Sequence, residues 1–277
     1  MRVGSIGIDP RTPTMCWRTV VPPLPVGKRI DVRVVSLGER HDASAKYIGV
    51  PEELRRNHML GLVTIGQAPR PDFDAAFREH LPSTEIKLLG ALDGMSVPQM
   101  DDLTGIDGVY PLHTLLSNGS TRDIDIKVLA PLVEAKARDL VDEGARAIAV
   151  CCAGDFPDID CGVPVLRPGR LLPALAGAIC RTRNIGVVSP IASQMAPAKE
   201  KWERDGFSVR TAFASPYRHD EIEVAAREMS DPELEVVILD CMGHGAEYRD
   251  EFTRLSGRPA LLAQTLLAKV AAEVMGG

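Results

Sequence analysis

The sequence predicts an α/β chain built on parallel sheets. Three observations carry this. Short apolar runs alternate with longer amphipathic stretches through residues 59–277. Gly, Pro, Asn and Asp punctuate the junctions. Val63-Thr64-Ile65-Gly66 and Val187-Val188-Ser189-Pro190 open similar strand–turn–helix units, and Val150-Cys151-Cys152-Ala153-Gly154 and Leu239-Asp240-Cys241-Met242-Gly243 close similar helix–strand units. Buried strands alternating with helices form parallel sheets. Two halves related by a pseudo-twofold would set Cys152 and Cys241 face to face.

Residues 1–58 differ from the rest. Pro10, Pro13, Pro22, Pro23, Pro25 and Pro51 break any helical period, and only residues 32–35 suggest a short strand. The segment reads as an extension without its own core, and Met59, directly before the first clear strand, is the expected translation start. The expected divisions are this extension (1–58), a first lobe at 59–165, a second at 166–256, and a C-terminal helix at 257–277 packing back on the first lobe.

The first strand is expected at 60–65, followed by the turn Gly66-Gln67-Ala68-Pro69-Arg70 and a helix at 71–80, where Pro71 and Asp72 suit the first turn. A short strand follows at 86–89. Residues 90–126 are less regular, with Asn118-Gly119 marking a hairpin or loop tip. A helix at 127–143 leads to a buried strand at 147–150. Then come a helix near 170–180, a strand at 185–188, a helix at 193–205, a strand at 207–211, a helix at 219–229, a strand at 236–239 and a last helix at 259–275.

Composition narrows the class. Hydrophobic residues make up 45% of 277, enough to bury a core. The net charge of −6 and the lack of a basic run argue against nucleic acid as a partner. No apolar run reaches the length of about 20 residues that a membrane span needs, and the N-terminus lacks a basic region followed by an apolar stretch, so no signal peptide is expected. The six cysteines form no C-x-x-C and join no His-x-x-x-His, so neither a zinc site nor a disulfide framework is expected. Reduced thiols and a cytoplasmic location follow. No Gly-rich phosphate loop follows a strand, so no cofactor is expected. Aromatic residues are only 4% of the chain, which favours a small polar ligand over a large flat one.

Ligands of parallel sheets sit beyond the carboxyl ends of the strands. Thr64, Gln67, Arg70, Cys152, Ala153, Gly154, Ser189, Pro190, Cys241, Met242, Gly243 and His244 all fall there. Inverting a carbon beside a carboxylate needs a base on one face and an acid on the other. Two thiols on facing lobes meet that need, one as thiolate. Helix N-terminal amides after each strand are expected to stabilise the thiolate and the substrate carboxylate. Side chains alternate along a strand, so only one of Cys151 and Cys152 faces the cleft; Cys152, two residues before Gly154, matches Cys241, two before Gly243. Cysteine more often simply fills a core, which is the reading for Cys161 and Cys180. Arg70 is either a carboxylate clamp or a solvated loop residue. Thr64 and Gln67 either bond the substrate or satisfy the turn. Ser189, with Pro190, either binds a carboxylate or caps the next helix, and His244 either assists Cys241 or starts a helix.

Thr64-Ile65-Gly66-Gln67-Ala68-Pro69-Arg70, Cys152-Ala153-Gly154-Asp155-Phe156-Pro157 and Leu239-Asp240-Cys241-Met242-Gly243 resemble the AroM family across 59–277. That family is similar to the aspartate/glutamate racemase superfamily. The resemblance implies two Rossmann-like lobes, an active site in the cleft between them, and Cys152 and Cys241 as paired catalytic thiols. The sequence departs from the racemase pattern where Ala153-Gly154 stand in place of Asn-Thr, and where Met242-Gly243 displace a histidine to position 244. Backbone amides of Ala153 and Gly154 then take over from side chains. The implied function is cofactor-independent racemisation or isomerisation of a small carboxylate-bearing substrate, with a homodimer left open. A one-cysteine decarboxylase or cis–trans isomerase, and a non-catalytic small-molecule binder, are the alternatives.

Overall fold

The computed structural model describes residues 59–276 apart from 107 and 109. These residues belong to one compact unit. The readings of the extension and of Met59 as the start lie outside or at the edge of the described residues.

Two four-stranded parallel sheets form the frame. The first is built from β1 (Met59–Thr64), β2 (Glu85–Gly90), β5 (Ala145–Cys151) and β6 (Val165–Leu166), in the order β2-β1-β5-β6. The second is built from β7 (Asn184–Ser189), β8 (Ser208–Phe213), β9 (Val236–Leu239) and β10 (Ala260–Leu262), in the order β8-β7-β9-β10. The two orders match strand for strand: β1 with β7, β2 with β8, β5 with β9, β6 with β10. Thr64 thus corresponds to Ser189, each the last residue of its central strand, one position off the register of the internal echo. β1 and β7 are buried along almost their whole length, because each lies between two neighbours and has helices on both faces.

The helices are α1 (Pro71–Arg78), α2 (Val97–Asp101), α3 (Ile126–Asp142), α4 (Pro168–Ile179), α5 (Met195–Arg204), α6 (His219–Glu228), α7 (Ala246–Ser256) and α8 (Ala263–Met275). One core cluster joins the sheets. It takes Leu60 and Leu62 from β1, Val187 and Ile238 from the second sheet, and apolar faces of α1, α4, α5 and α8. A second cluster covers the outer face of the first sheet with α3, and a third covers the outer face of the second sheet with α6 and α7. α8 packs on α1, α4 and β5, so the chain ends against the first sheet.

The expected hairpin is found: β3 (Pro111–Leu115) and β4 (Thr121–Asp125) pair antiparallel and turn at Asn118-Gly119, with Gly119 at φ +81°. β3 alternates half-buried and buried positions, but both strands are too short to stand out from turn signals. Other elements depart from expectation, and β6 and α2 were not among those expected. The expected helix 259–275 begins only at Ala263. Ala260–Leu262 instead pairs with Val237–Leu239, and the Pro259 carbonyl accepts from Val237 N–H. A three-residue apolar run has no period of its own, so the sequence offers nothing to separate it from the helix that follows. α7 was given no range by the sequence, which offered only a possible helix start at His244. Tyr248, Phe252 and Ser256 are its buried residues, four apart, and Gly257 closes it at φ +66°. No helix among the described residues is long and apolar enough to cross a membrane.

Candidate active site

Cys152 follows the end of β5, and Cys241 stands two residues beyond β9. Each thiol is held the same way. Gly154 N–H points at Cys152 Sγ at 3.4 Å, and Gly243 N–H points at Cys241 Sγ at 3.3 Å. This shared sulfur-to-amide contact is the closest local correspondence between the two halves. Both thiols line one cavity of about 40 Å³, along with Arg70, Ala153, Gly154, Pro190, Met242 and Gly243. Cys151 also touches its wall, but its side chain belongs to the cluster between the sheets, whereas Cys152 belongs to the outer cluster with Val150.

Burial dominates the chemistry of the thiols. It pushes Cys152 up to about 12 and Cys241 up to about 11, against the partial help of the Gly154 and Gly243 amides. Neither helix begins directly after its cysteine: α4 starts at Pro168 and α7 at Ala246, because Gly154 and Gly243 lead into turns. The amides at the sulfurs are those of the loops, Gly154 for Cys152 and Gly243 and His244 for Cys241, and they do not overcome desolvation.

Arg70 is 8% exposed and lies flat over the Phe73 ring, 3.8 Å from its centre. Burial opposes its charge, but Asp72 outweighs this and holds it above its usual value. Asp72 takes Nε at 2.8 Å and Nη2 at 2.6 Å, so one edge of the guanidinium is already occupied. Nη1 has no hydrogen bond to the described residues. Among the described residues Arg70 is the only lysine or arginine lining the cavity.

A buried ion pair lies between the two cysteine loops. Lys201, on α5, is 2% exposed and contacts Asp240 at 3.1 Å. The same ammonium donates to the Ala153 carbonyl at 2.9 Å, and Trp202 Nε1 reaches Asp240 at 3.3 Å. One ammonium therefore bonds the residue after Cys152 and the residue before Cys241. Asp155, on the other flank, pairs with Arg204 at the surface.

Four residues expected at the substrate are placed elsewhere. Gln67 spends its amide on structure: Nε2 donates to Leu92 O at 3.3 Å, and Oε1 accepts from Ser117 N and Oγ at 3.0 and 2.9 Å. It ties the Arg70 loop to the hairpin because the hairpin tip folds over that loop. Thr64 is fully buried, its hydroxyl without a hydrogen-bond partner among the described residues, and it does not line the cavity. Ser189 is 1% exposed at the end of β7 and also lies behind the wall. His244 is fully buried, its Nε2–H donates to Ala214 O at 2.9 Å, and its ring stacks on Tyr248 at 4.2 Å. Burial drops it to about 4, so it is neutral and cannot serve as a cation beside Cys241. A residue one step further along the turn points inward behind the loop.

Sequence reasoning missed the residues that later elements bring in. Tyr110, Leu112, His113 and Leu115 arrive with the hairpin, Gln194 with the turn before α5, and Pro216 and Tyr217 with the β8–α6 loop. Gln194 Nε2 also donates to Pro111 O at 2.7 Å, a direct bond between the halves. None of these carries a motif. Among the described residues no three His, Cys, Asp or Glu side chains gather to hold a metal ion.

Two α/β halves with matched strand order, closing on a cavity with one thiol from each, define a protein of the aspartate/glutamate racemase fold. The chain belongs to the AroM protein family, whose sequence profile matches residues 60–275. Among solved structures it is similar to unliganded arylmalonate decarboxylase, at 12% identity and a TM-score of 0.52 over 79% of this chain and 93% of that one. It is similar to allantoin racemase from Klebsiella pneumoniae, at 15% identity and 0.53 over 79% and 87%. It is likewise similar to the maleate isomerase Iso from Pseudomonas putida S16, at 10% identity and 0.51 over 79% and 93%. At such identities the likeness establishes the fold. No curated protein matches the sequence.

Proposed function

We propose that this chain is a cofactor-independent racemase or isomerase that moves a proton at the carbon beside a carboxylate, with Cys152 and Cys241 as the paired acid and base. The observation that carries this reading is the matched pair of thiols, one per half, each against a glycine amide at one cavity. The substrate carboxylate sits on Nη1 of Arg70. One thiolate removes the α-proton from one face, and charge moves onto the carboxylate, where Arg70 holds it. The opposite thiol then gives its proton to the other face. The two sulfurs exchange states, and no proton or electron is left over. Lys201 positions both loops from behind.

The test is α-hydrogen exchange in D₂O, followed by NMR, over a panel of carboxylates. Exchange of either enantiomer that is lost in both Cys152→Ser and Cys241→Ser supports the two-thiol reading. Exchange that survives in one variant means a single base.

A second reading, binding without turnover, is favoured by one observation: burial holds both thiols protonated. A protein of that kind keeps its ligand affinity in both serine variants and exchanges nothing.

A further inference from the structure

The cavity at the thiols is small. At about 40 Å³ it has room for about three water molecules, at 10–15 Å³ each. A second space adjoins it. His113, Pro190 and Tyr217 line the cavity and also line an outer pocket of about 430 Å³, completed by Ile191, Phe213 and Arg218 among others. The rings of His113 and Tyr217, one from each half, stand 6.4 Å apart between the two spaces.

The lining differs from what a polar amino acid needs. Among the described residues Arg70 is the only lysine or arginine in the inner cavity, and Nη1 is not bonded to any of them. A second carboxylate would lie beside the thiolate with no cation of its own. A substrate ammonium would need a free anion, yet Asp240 is engaged by Lys201 and Trp202. The rest of the inner wall is largely apolar, with Ile65, Phe73, Leu112, Leu115 and Met242. In the outer pocket Arg218 is paired with Asp220 and Glu221. Phe213 and Tyr217 are 41% and 50% exposed there, two of the seven large hydrophobic side chains left exposed among the described residues. Phe, Tyr and Trp make up only 4% of the chain, so Phe73, Tyr110, Phe213 and Tyr217 around these two adjoining spaces are a local concentration.

Resting on the site proposed above, we infer that its ligand is a monocarboxylate with an apolar, planar body, the carboxylate at Arg70 and the body reaching past Tyr217 into the outer pocket. Flat rings suit aromatic side chains such as these, and a single charge suits a single cation.

The experiment is calorimetric titration of the full chain with 4-phenylbutyrate, butyrate, L-glutamate and L-aspartate, repeated on Phe213→Ala and Arg70→Gln. The expected result is phenylbutyrate binding at least about tenfold tighter than the other three. Phe213→Ala should erase most of that advantage while leaving butyrate unchanged, and Arg70→Gln should weaken both. Equal binding of butyrate and phenylbutyrate, tighter binding of either amino acid, or no binding of phenylbutyrate overturns the inference. Cys152→Ser and Cys241→Ser separate the two proposals: unchanged phenylbutyrate affinity in both keeps this one standing whatever their proton exchange does.

Discussion

At the scale of single residues, burial governs the behaviour of the site. Cys152 and Cys241 are thiols in the closed cavity, because removing a thiolate from water costs more than the loop amides return. Their reaction with iodoacetamide, followed by peptide mass spectrometry, should therefore keep rising about tenfold per pH unit beyond pH 9, where a free cysteine of pKa about 8.5 has levelled off. A plateau near pH 9 for either cysteine would show that it is not held this way. His244 works in the opposite direction. Its folded value of about 4 lies below its ordinary 6.5, so its contribution is complete above pH 6.5 and is lost as pH falls toward 4. The loss amounts to about 3 kcal/mol. Urea unfolding at pH 7 and pH 4.5 should show a smaller drop for His244→Phe than for the parent, and equal drops would remove this residue from the acid sensitivity.

At the scale of elements, α5 connects the two cysteine loops. Lys201→Met leaves Asp240 buried without its ammonium and frees the Ala153 carbonyl. The expected cost is about 3–5 kcal/mol in urea unfolding, and the double variant Lys201→Met with Asp240→Leu should recover much of it. A double variant as unstable as the single one would mean that packing, and not the stranded charge, sets the cost. α4 constrains the same loop from another side. A Cβ on Gly169 would lie 2.4 Å from the Gly154 carbonyl oxygen, a backbone atom that cannot swing away. Gly169→Ala should thus displace the Cys152 loop and change the alkylation rate of Cys152 far more than that of Cys241. Equal changes in both rates would argue that the whole cavity loosens.

At the scale of the whole molecule, the two halves meet through a few specific bonds. Gln194 reaches Pro111, and Lys201 reaches Ala153. The cavity between them is about 40 Å³ and takes its lining from both halves, so a ligand bound there would bridge them. Ligand binding should slow amide hydrogen exchange in the hairpin 111–125 and in the loop 214–218 together. Protection confined to one of them would mean that the ligand sits on one half and does not bridge.

The alternation of apolar runs and helices, the twofold echo and the cysteine-glycine spacing were local features. The sequence by itself therefore determined the α/β class, the parallel strands, the pairing of Cys152 with Cys241, and the place of Arg70, Pro190 and the glycines at strand ends. Gln67, Thr64, Ser189 and His244 share those strand ends but not the cavity, because a side chain's direction within a turn depends on what packs over it. The hairpin over Gln67 and the Ala214 carbonyl facing His244 come from segments 30 or more residues away. Tertiary structure alone decided that Tyr110, His113 and Tyr217 line one cavity, that Lys201 and Asp240 are buried together, and that burial raises both thiols. Each of these depends on desolvation or on contacts between distant segments, and neither has a sequence period to announce it.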